Sequence, residues 1–327
     1  MEKRRYRIAA DGGGTKLIAV LYDEKLNVLK TARTQGTNQL FRPPEVVRAE
    51  ADALAGELLL PEVGRVESVD YSIVGDSSVF LDALRRRAEI GETRGHGEGH
   101  VALASAGEAY GIVAQAGTGS DAFLIQPDRR EIVGGWGMLL GDEGGGFDIG
   151  LHTLRASIWA EDGRGVPSVL PDMIKKEWNL ERLWDMIGRL NGDPDKRAAI
   201  AAVSHIASRA ALMGDEAALK VYADAARELA VQVLTAARRV DGRFIGPIVT
   251  SGGAWKGTAK MFEVFRDEVK KSLPDASVRF PDFEPIVGSV ILGLEADMPQ
   301  LPKPEIMKTL RESFAAFRYA LPPDYKE

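Results

Sequence analysis

The chain has 327 residues, 45% of them hydrophobic, long for one domain and sufficient for two with separate cores. A net charge of −6 argues against a partner such as nucleic acid or an anionic membrane, which calls for a basic surface. The absence of cysteine excludes disulfides, thiol catalysis, thiolate-bound zinc and iron–sulfur clusters. The first residues, Met1-Glu2-Lys3-Arg4-Arg5-Tyr6, lack the apolar core of a signal peptide. No apolar run reaches membrane-spanning length either, so a cytoplasmic, soluble protein is expected.

A strand through Ile8, Ala9 and Ala10 runs into Asp11, Gly12, Gly13, Gly14, Thr15 and Lys16, and resumes over 17–22. Glycine tolerates positive φ and close approach of other groups, so such a turn can direct several N–H groups at an anion, phosphate being the obvious guest. Asp11 is suited to hold the Mg²⁺, or its waters, that accompanies a nucleotide. Thr15 supplies a hydroxyl donor and Lys16 a positive charge. A hairpin whose turn is merely glycine-rich has the same local signature.

After Thr37-Asn38-Gln39, Pro43-Pro44 open a helix to about residue 60. Residues 69–74 read as a buried strand, and Asp76, Ser77 and Ser78 as caps of a helix over 79–88. Residues 91–100 form a polar, glycine-studded loop containing His96, Glu98 and His100, followed by a small-residue helix over 101–109 and a strand over 112–116. Two histidines without further ligands nearby make a weak metal site.

Gly117-Thr118-Gly119-Ser120 lies 105 positions after Gly12-Gly13-Gly14-Thr15. Continued without a gap, the offset places Ile8 on Val113, Val20 on Ile125, Asp23 on Asp128 and Val28 on Val133. Self-similarity at a fixed offset indicates duplicated units. The two turns would face each other across a cleft and hold one polyphosphate.

Next come Gly134-Gly135-Trp136-Gly137 and Gly141-Asp142-Glu143-Gly144. Glycines around Trp136 let backbone and indole share a pocket wall suited to a sugar ring, although a core tryptophan is the commoner reading of an isolated one. Residues 167–240 are almost wholly helical, with apolar spacing that serves core packing or a homodimer surface. A strand over 244–250 ends in Ser251-Gly252-Gly253-Ala254-Trp255 ahead of a helix over 260–271. A short strand at 279–281, a helix over 284–294 and a tail helix over 305–317 complete the chain.

These ordered motifs resemble the BadF/BadG/BcrA/BcrD ATPase family, over about residues 7–295, and within it the sugar kinases. The resemblance implies two α/β domains of the RNase H-like, actin-like kind, each with a mixed five-stranded sheet. Expected boundaries are 1–112 and 113–298, a helical insert at about 150–240, a hinge near 109–115, and a tail at 299–327 packing on the first domain. It further implies ATP with Mg²⁺ held by Asp11 and the two glycine turns, adenosine backed by Ser251, Gly252 and Gly253, and a sugar gripped by Asn38, Gly135, Trp136 and Asp142. Glu143 lies near the site in the family and here leads into a helix over 146–160.

The family places an Asp about twenty residues before the Thr of the second turn, to take the proton from the attacking sugar hydroxyl. Here that position is Glu98, followed by Gly99 and His100. Glu98 is the expected base, His100 its alternative, and a carboxylate that merely favours a helix N-terminus the third reading. The implied activity is phosphorylation of an amino sugar, N-acetylglucosamine or glucosamine, at its 6-hydroxyl. A nucleotide-binding regulatory ATPase is the rival. The dehydratase activators of this family carry a cysteine-bound cluster, which this chain cannot build.

Overall fold

The computed structural model describes residues 4–13, 16–36 and 43–326. In chain order it contains β1 (Tyr6–Gly12), β2 (Lys16–Asp23), β3 (Val28–Gln35), α1 (Pro44–Leu58), β4 (Arg65–Ile73), α2 (Ser78–Arg85), β5 (Glu89–Gly95) and α3 (Glu98–Ser105). There follow β6 (Gly111–Ala116), β7 (Ser120–Ile125), β8 (Arg130–Gly134), and helices α4 (Gly146–Glu161), α5 (Leu170–Trp178), α6 (Met186–Asn191), α7 (Lys196–Ala202), α8 (Ser204–Leu212) and α9 (Glu216–Arg238). The chain ends with β9 (Ile248–Ser251), α10 (Ala259–Ser272), β10 (Val278–Arg279), α11 (Pro285–Asp297) and α12 (Lys303–Ser313).

The duplication is visible in the topology. One sheet runs β3-β2-β1-β4-β5 and the other β10-β9-β6-β7-β8. In each, the first strand pairs antiparallel with the second and parallel with the fourth. The ungapped offset does not survive past the turns, however. Asp11 pairs with Ile18, whereas Ala116, 105 positions on, pairs with Ser120, three residues short of the partner that the offset requires. Val20 lies opposite Ala9, and its counterpart opposite Ala114 is Ala122, not Ile125. The equivalences expected for Asp23 and Val28 slide in the same way.

Residues up to Ala109 group with Pro281–Tyr319 as one compact unit, and Tyr110–Phe280 with Ala320 onward as the other. This differs from the expected boundaries at 112 and 298. The sheet of the first unit is apolar on both faces, so both need a cover. Helices α1 and α2 cover Ile8, Ala10, Leu17 and Leu21. Ala9, Val20 and Tyr22 on the other face are covered by Ile286, Val287, Val290 and Ile291 of α11, which draws that helix into the first unit. The tail divides as well. Residues to Tyr319 stay with the first unit, but Asp324 accepts hydrogen bonds from the Thr258 hydroxyl at 2.8 Å and the Ala259 N–H at 2.7 Å, capping α10 in the second.

A second difference concerns residues 91–100. Glu89–Gly95 is a strand at the edge of its sheet, parallel to β4. Its polar residues are tolerated there, and Gly91 is required because a Cβ would lie 2.4 Å from the Glu67 carbonyl oxygen. Helix α3 consequently starts at Glu98, earlier than the expected 101.

Next to this strand lies an ionic network. Arg94 donates from Nε and Nη2 to both oxygens of the fully buried Asp70, at 2.7 and 2.9 Å, and from Nη1 to Asp297 at 2.6 Å, while Arg7 also pairs with Asp297. Burial alone would raise the Asp70 pKa, but the hydrogen bonds from Arg94 and His96 hold it below the usual carboxylate range. Removing one partner of a buried pair strands the other, so Asp70→Ala is expected to cost about 3–5 kcal/mol. Urea unfolding checks this, and a midpoint equal to wild type would overturn it. No helix among the described residues is long and apolar enough to cross a membrane.

Candidate active site

In the first unit, β1 delivers Asp11, Gly12 and Gly13 to the carboxyl end of three mutually parallel strands, the edge where open α/β sheets bind ligands. The Gly13 N–H donates to the Lys16 carbonyl at 2.9 Å and closes the turn. A Cβ on Gly12 would lie 2.9 Å from Leu17 Cδ1 and 3.2 Å from Ile73 Cγ1, so that glycine is closely packed by side chains. A Cβ on Gly13 would meet nothing within 4 Å. Packing therefore does not account for Gly13, and its bare backbone faces open space as a bound phosphate would require. Gly14, Thr15 and Asn38 lie outside the described residues.

Asp11 has its pKa pushed up to about 6 by burial, with Lys16 opposing and Glu284 adding to the rise. Glu98 is the first residue of α3, after Gly97 as N-cap. A helix N-terminus lowers a carboxylate's pKa. The pKa of Glu98 instead rises to about 7, through burial first and the charge of Asp11 second. Stabilising the helix end is thus not the dominant effect on this half-buried side chain, and its protonation lies where a base works near neutral pH. His100 folds toward Gly97, its Nδ1 lying 3.3 Å from where a Cβ there would stand.

In the second unit, the Gly117-Thr118-Gly119 turn sits on the start of α4. The Gly146 N–H donates to the Gly117 carbonyl at 2.8 Å and the Phe147 N–H to the Thr118 carbonyl at 2.9 Å. In a trans peptide C=O and N–H point opposite ways, so the N–H groups of Thr118 and Gly119 point away from α4, as in an anion nest. The turn expected to back the adenosine lies alongside, since Ser251 pairs with Gln115 and a Cβ on Gly252 would stand 2.3 Å from the Ala116 carbonyl oxygen. Gly253 would meet nothing within 4 Å and Gly117 nothing closer than 3.8 Å. Two bare glycines on one rim suit the backbone approach that ATP needs.

Other expected residues brace these turns. The buried Ser120 donates its hydroxyl to the Glu143 carbonyl at 2.6 Å. Asp142, buried with φ of +60°, accepts from the N–H of Gly137 at 3.1 Å and lies against Gly119, where a Cβ would stand 2.4 Å from Oδ2. Burial raises the Asp142 pKa, against the Gly137 N–H and Arg197, which lower it. Gly135, with φ of +71°, donates its N–H to the Ser120 carbonyl at 3.0 Å. Trp136 is 74% exposed and so is no core residue.

Three contributors were not foreseen. Glu284 bears on Asp11 and comes from the far end of the chain. His96 bonds the buried Asp70. Gln232 reaches the Glu143 carbonyl at 3.2 Å from the apolar stripe of α9, and a polar residue among Leu229, Ala230 and Val233 was the available signal. Among the described residues no three His, Cys, Asp or Glu form a metal-binding group. Mg²⁺ needs no such cage, because it binds through one or two carboxylates, phosphates and waters, and Asp11 beside its glycine turn fits that need.

Twin mixed sheets, each carrying a glycine turn after its first strand, define a duplicated α/β fold of the actin-like kind. The chain belongs to the BadF/BadG/BcrA/BcrD ATPase family, whose sequence profile matches residues 10–293. It is 24% identical over 309 residues to the N-acetylmuramic acid/N-acetylglucosamine kinase of Clostridium acetobutylicum, covering 88% of this chain and 98% of that one. It is 25% identical over 315 residues to the N-acetyl-D-glucosamine kinase of Dictyostelium discoideum, with the same coverage. Its fold is similar to that of a ROK family glucokinase from Streptomyces griseus solved with glucose and AMPPNP, with a TM-score of 0.55 and 17% identity over 88% of this chain and 98% of that one.

Proposed function

We propose that this protein is an ATP-dependent amino-sugar kinase acting on N-acetylglucosamine or glucosamine at the 6-hydroxyl. The observation that carries the proposal is Glu98, a half-buried carboxylate with its pKa raised to about 7 beside Asp11 and the first glycine turn. ATP supplies the phosphoryl group, and Asp11 holds the accompanying Mg²⁺. Backbone N–H groups of both glycine turns bind the phosphates, and the 251–253 turn backs the adenosine. Asn38, Gly135, Trp136 and Asp142 orient the sugar, and Glu98 takes the proton from its hydroxyl. Such chemistry depends on positioning and charge neutralisation more than on covalent help.

The test is ADP release measured against a panel of hexosamines. Stimulation by N-acetylglucosamine or glucosamine supports the kinase. Slow hydrolysis indifferent to every sugar supports a regulatory ATPase instead. The proton acceptor works only when ionised, so turnover at saturating substrates is expected to rise about tenfold per pH unit below the Glu98 pKa and to level off above it. The midpoint should lie at or below about 7, since a cation at Asp11 favours ionisation of Glu98. A flat profile from pH 5 to 8 would remove Glu98 from the reaction.

A further inference from the structure

We propose that His96 is a positioning residue for Glu98, its ring anchored on the buried carboxylate of Asp70 so that α3 starts from a fixed point. This rests on Glu98 being the proton acceptor. The His96 N–H donates to the Tyr71 carbonyl at 2.7 Å, carrying the β4–β5 ladder one residue past Gly95. The ring's Nε2 lies 3.0 Å from Asp70 Oδ1. An ionised carboxylate only accepts, so Nε2 carries the proton and donates. Between His96 and Glu98 stands Gly97 alone, in extended conformation with φ of −71° and ψ of 145°.

Glycine holds a conformation least firmly of all residues, so the direction in which α3 leaves depends on what secures the residue before it. His96 is secured twice, by backbone and by ring. Its anchor is itself immobile, since Asp70 is fully buried, gripped at both oxygens by Arg94 and packed under Gly293, where a Cβ would stand 2.3 Å from Oδ2. One side of α3 is clamped by α11, because a Cβ on Gly288 would lie 2.0 Å from the Val101 carbonyl oxygen. Glu98 thus projects from a short helix fixed at its entry and along one flank.

The experiment is steady-state kinetics with thermal unfolding on wild type, His96→Ala, His96→Gln, Glu98→Gln and the double variant His96→Ala/Glu98→Gln. A displacement of about 1 Å at a reacting group costs up to about 10²-fold, so His96→Ala should lower kcat by about tenfold or more while the KM for ATP stays within about twofold. Glutamine keeps a donor at the reach of Nε2 and should restore most of the loss. In the Glu98→Gln background His96→Ala should cost nothing further, because it acts through a group already removed. Wild-type kcat in His96→Ala, no rescue by His96→Gln, or an additive loss in the double variant overturns the positioning role while Glu98 stands. Wild-type turnover in Glu98→Gln overturns the base assignment, and the role of His96 with it.

Discussion

Glu98→Gln is expected to reduce sugar-dependent turnover by about 10²–10⁴-fold while leaving ATP binding within about twofold. The amide keeps the size and the polar contacts of the carboxylate but cannot accept the proton of the sugar hydroxyl. The fold should respond in the opposite direction. Burial and Asp11 raise the Glu98 pKa from the ordinary 4.5 to about 7, so the folded state disfavours the charged form. Stability from this group is complete below the unfolded-state value and is lost as pH rises toward 7. Glutamine carries no charge to disfavour, so the variant should unfold at a higher temperature than wild type at pH 8, with little difference at pH 4. An inactive yet more stable protein separates lost chemistry from lost structure. A variant that is inactive and less stable at pH 8 would contradict the burial of Glu98, and one that turns over normally would remove it from catalysis.

The readable parts of this sequence were those whose cause is local. Three glycines after a strand mean a bare turn wherever they occur, and the repeat of glycine and hydroxyl residues at Gly117 to Ser120 announced the second sheet before its strands were placed. The ungapped offset failed at the hairpin because register is set by pairing partners, here Ala116 with Ser120, and pairing is not local. Helix α11 was assigned to the wrong unit for a similar reason. Its apolar run shows that it is buried but not which sheet face lacks a cover. The strand Glu89–Gly95 was hidden by its own composition, since edge strands accept charges and glycines that elsewhere signal loops. Within the candidate site, Glu98 was expected by position, whereas the charge of Glu284 acting on Asp11 and the bond of His96 to Asp70 arise only once the chain is folded.

Gly252→Ala and Gly253→Ala, one residue apart, are expected to fail in different ways. Gly252 has φ of +104°, where an L side chain is strained, and its Cβ would stand 2.3 Å from the Ala116 carbonyl oxygen and 2.8 Å from the Gly117 nitrogen. Both neighbours are backbone, so no rotamer change relieves the clash, and β9 must separate from β6 just beyond the pairing of Ser251 with Gln115. Strain of about 1–3 kcal/mol and overpacking of about 1–3 kcal/mol act together, and Gly252→Ala should show a large loss in urea unfolding along with a weakened grip on ATP. At Gly253 a Cβ meets no atom within 4 Å, so Gly253→Ala should unfold like wild type. With a nucleotide lying against that open face, as proposed, a methyl group there should weaken ATP by about tenfold through lost contact. Equilibrium binding of an ATP analogue to both variants, beside their unfolding curves, reads the two effects separately. Wild-type affinity in a stable Gly253→Ala would move the adenosine away from this turn, and the nucleotide would then have to be held without the 251–253 backbone.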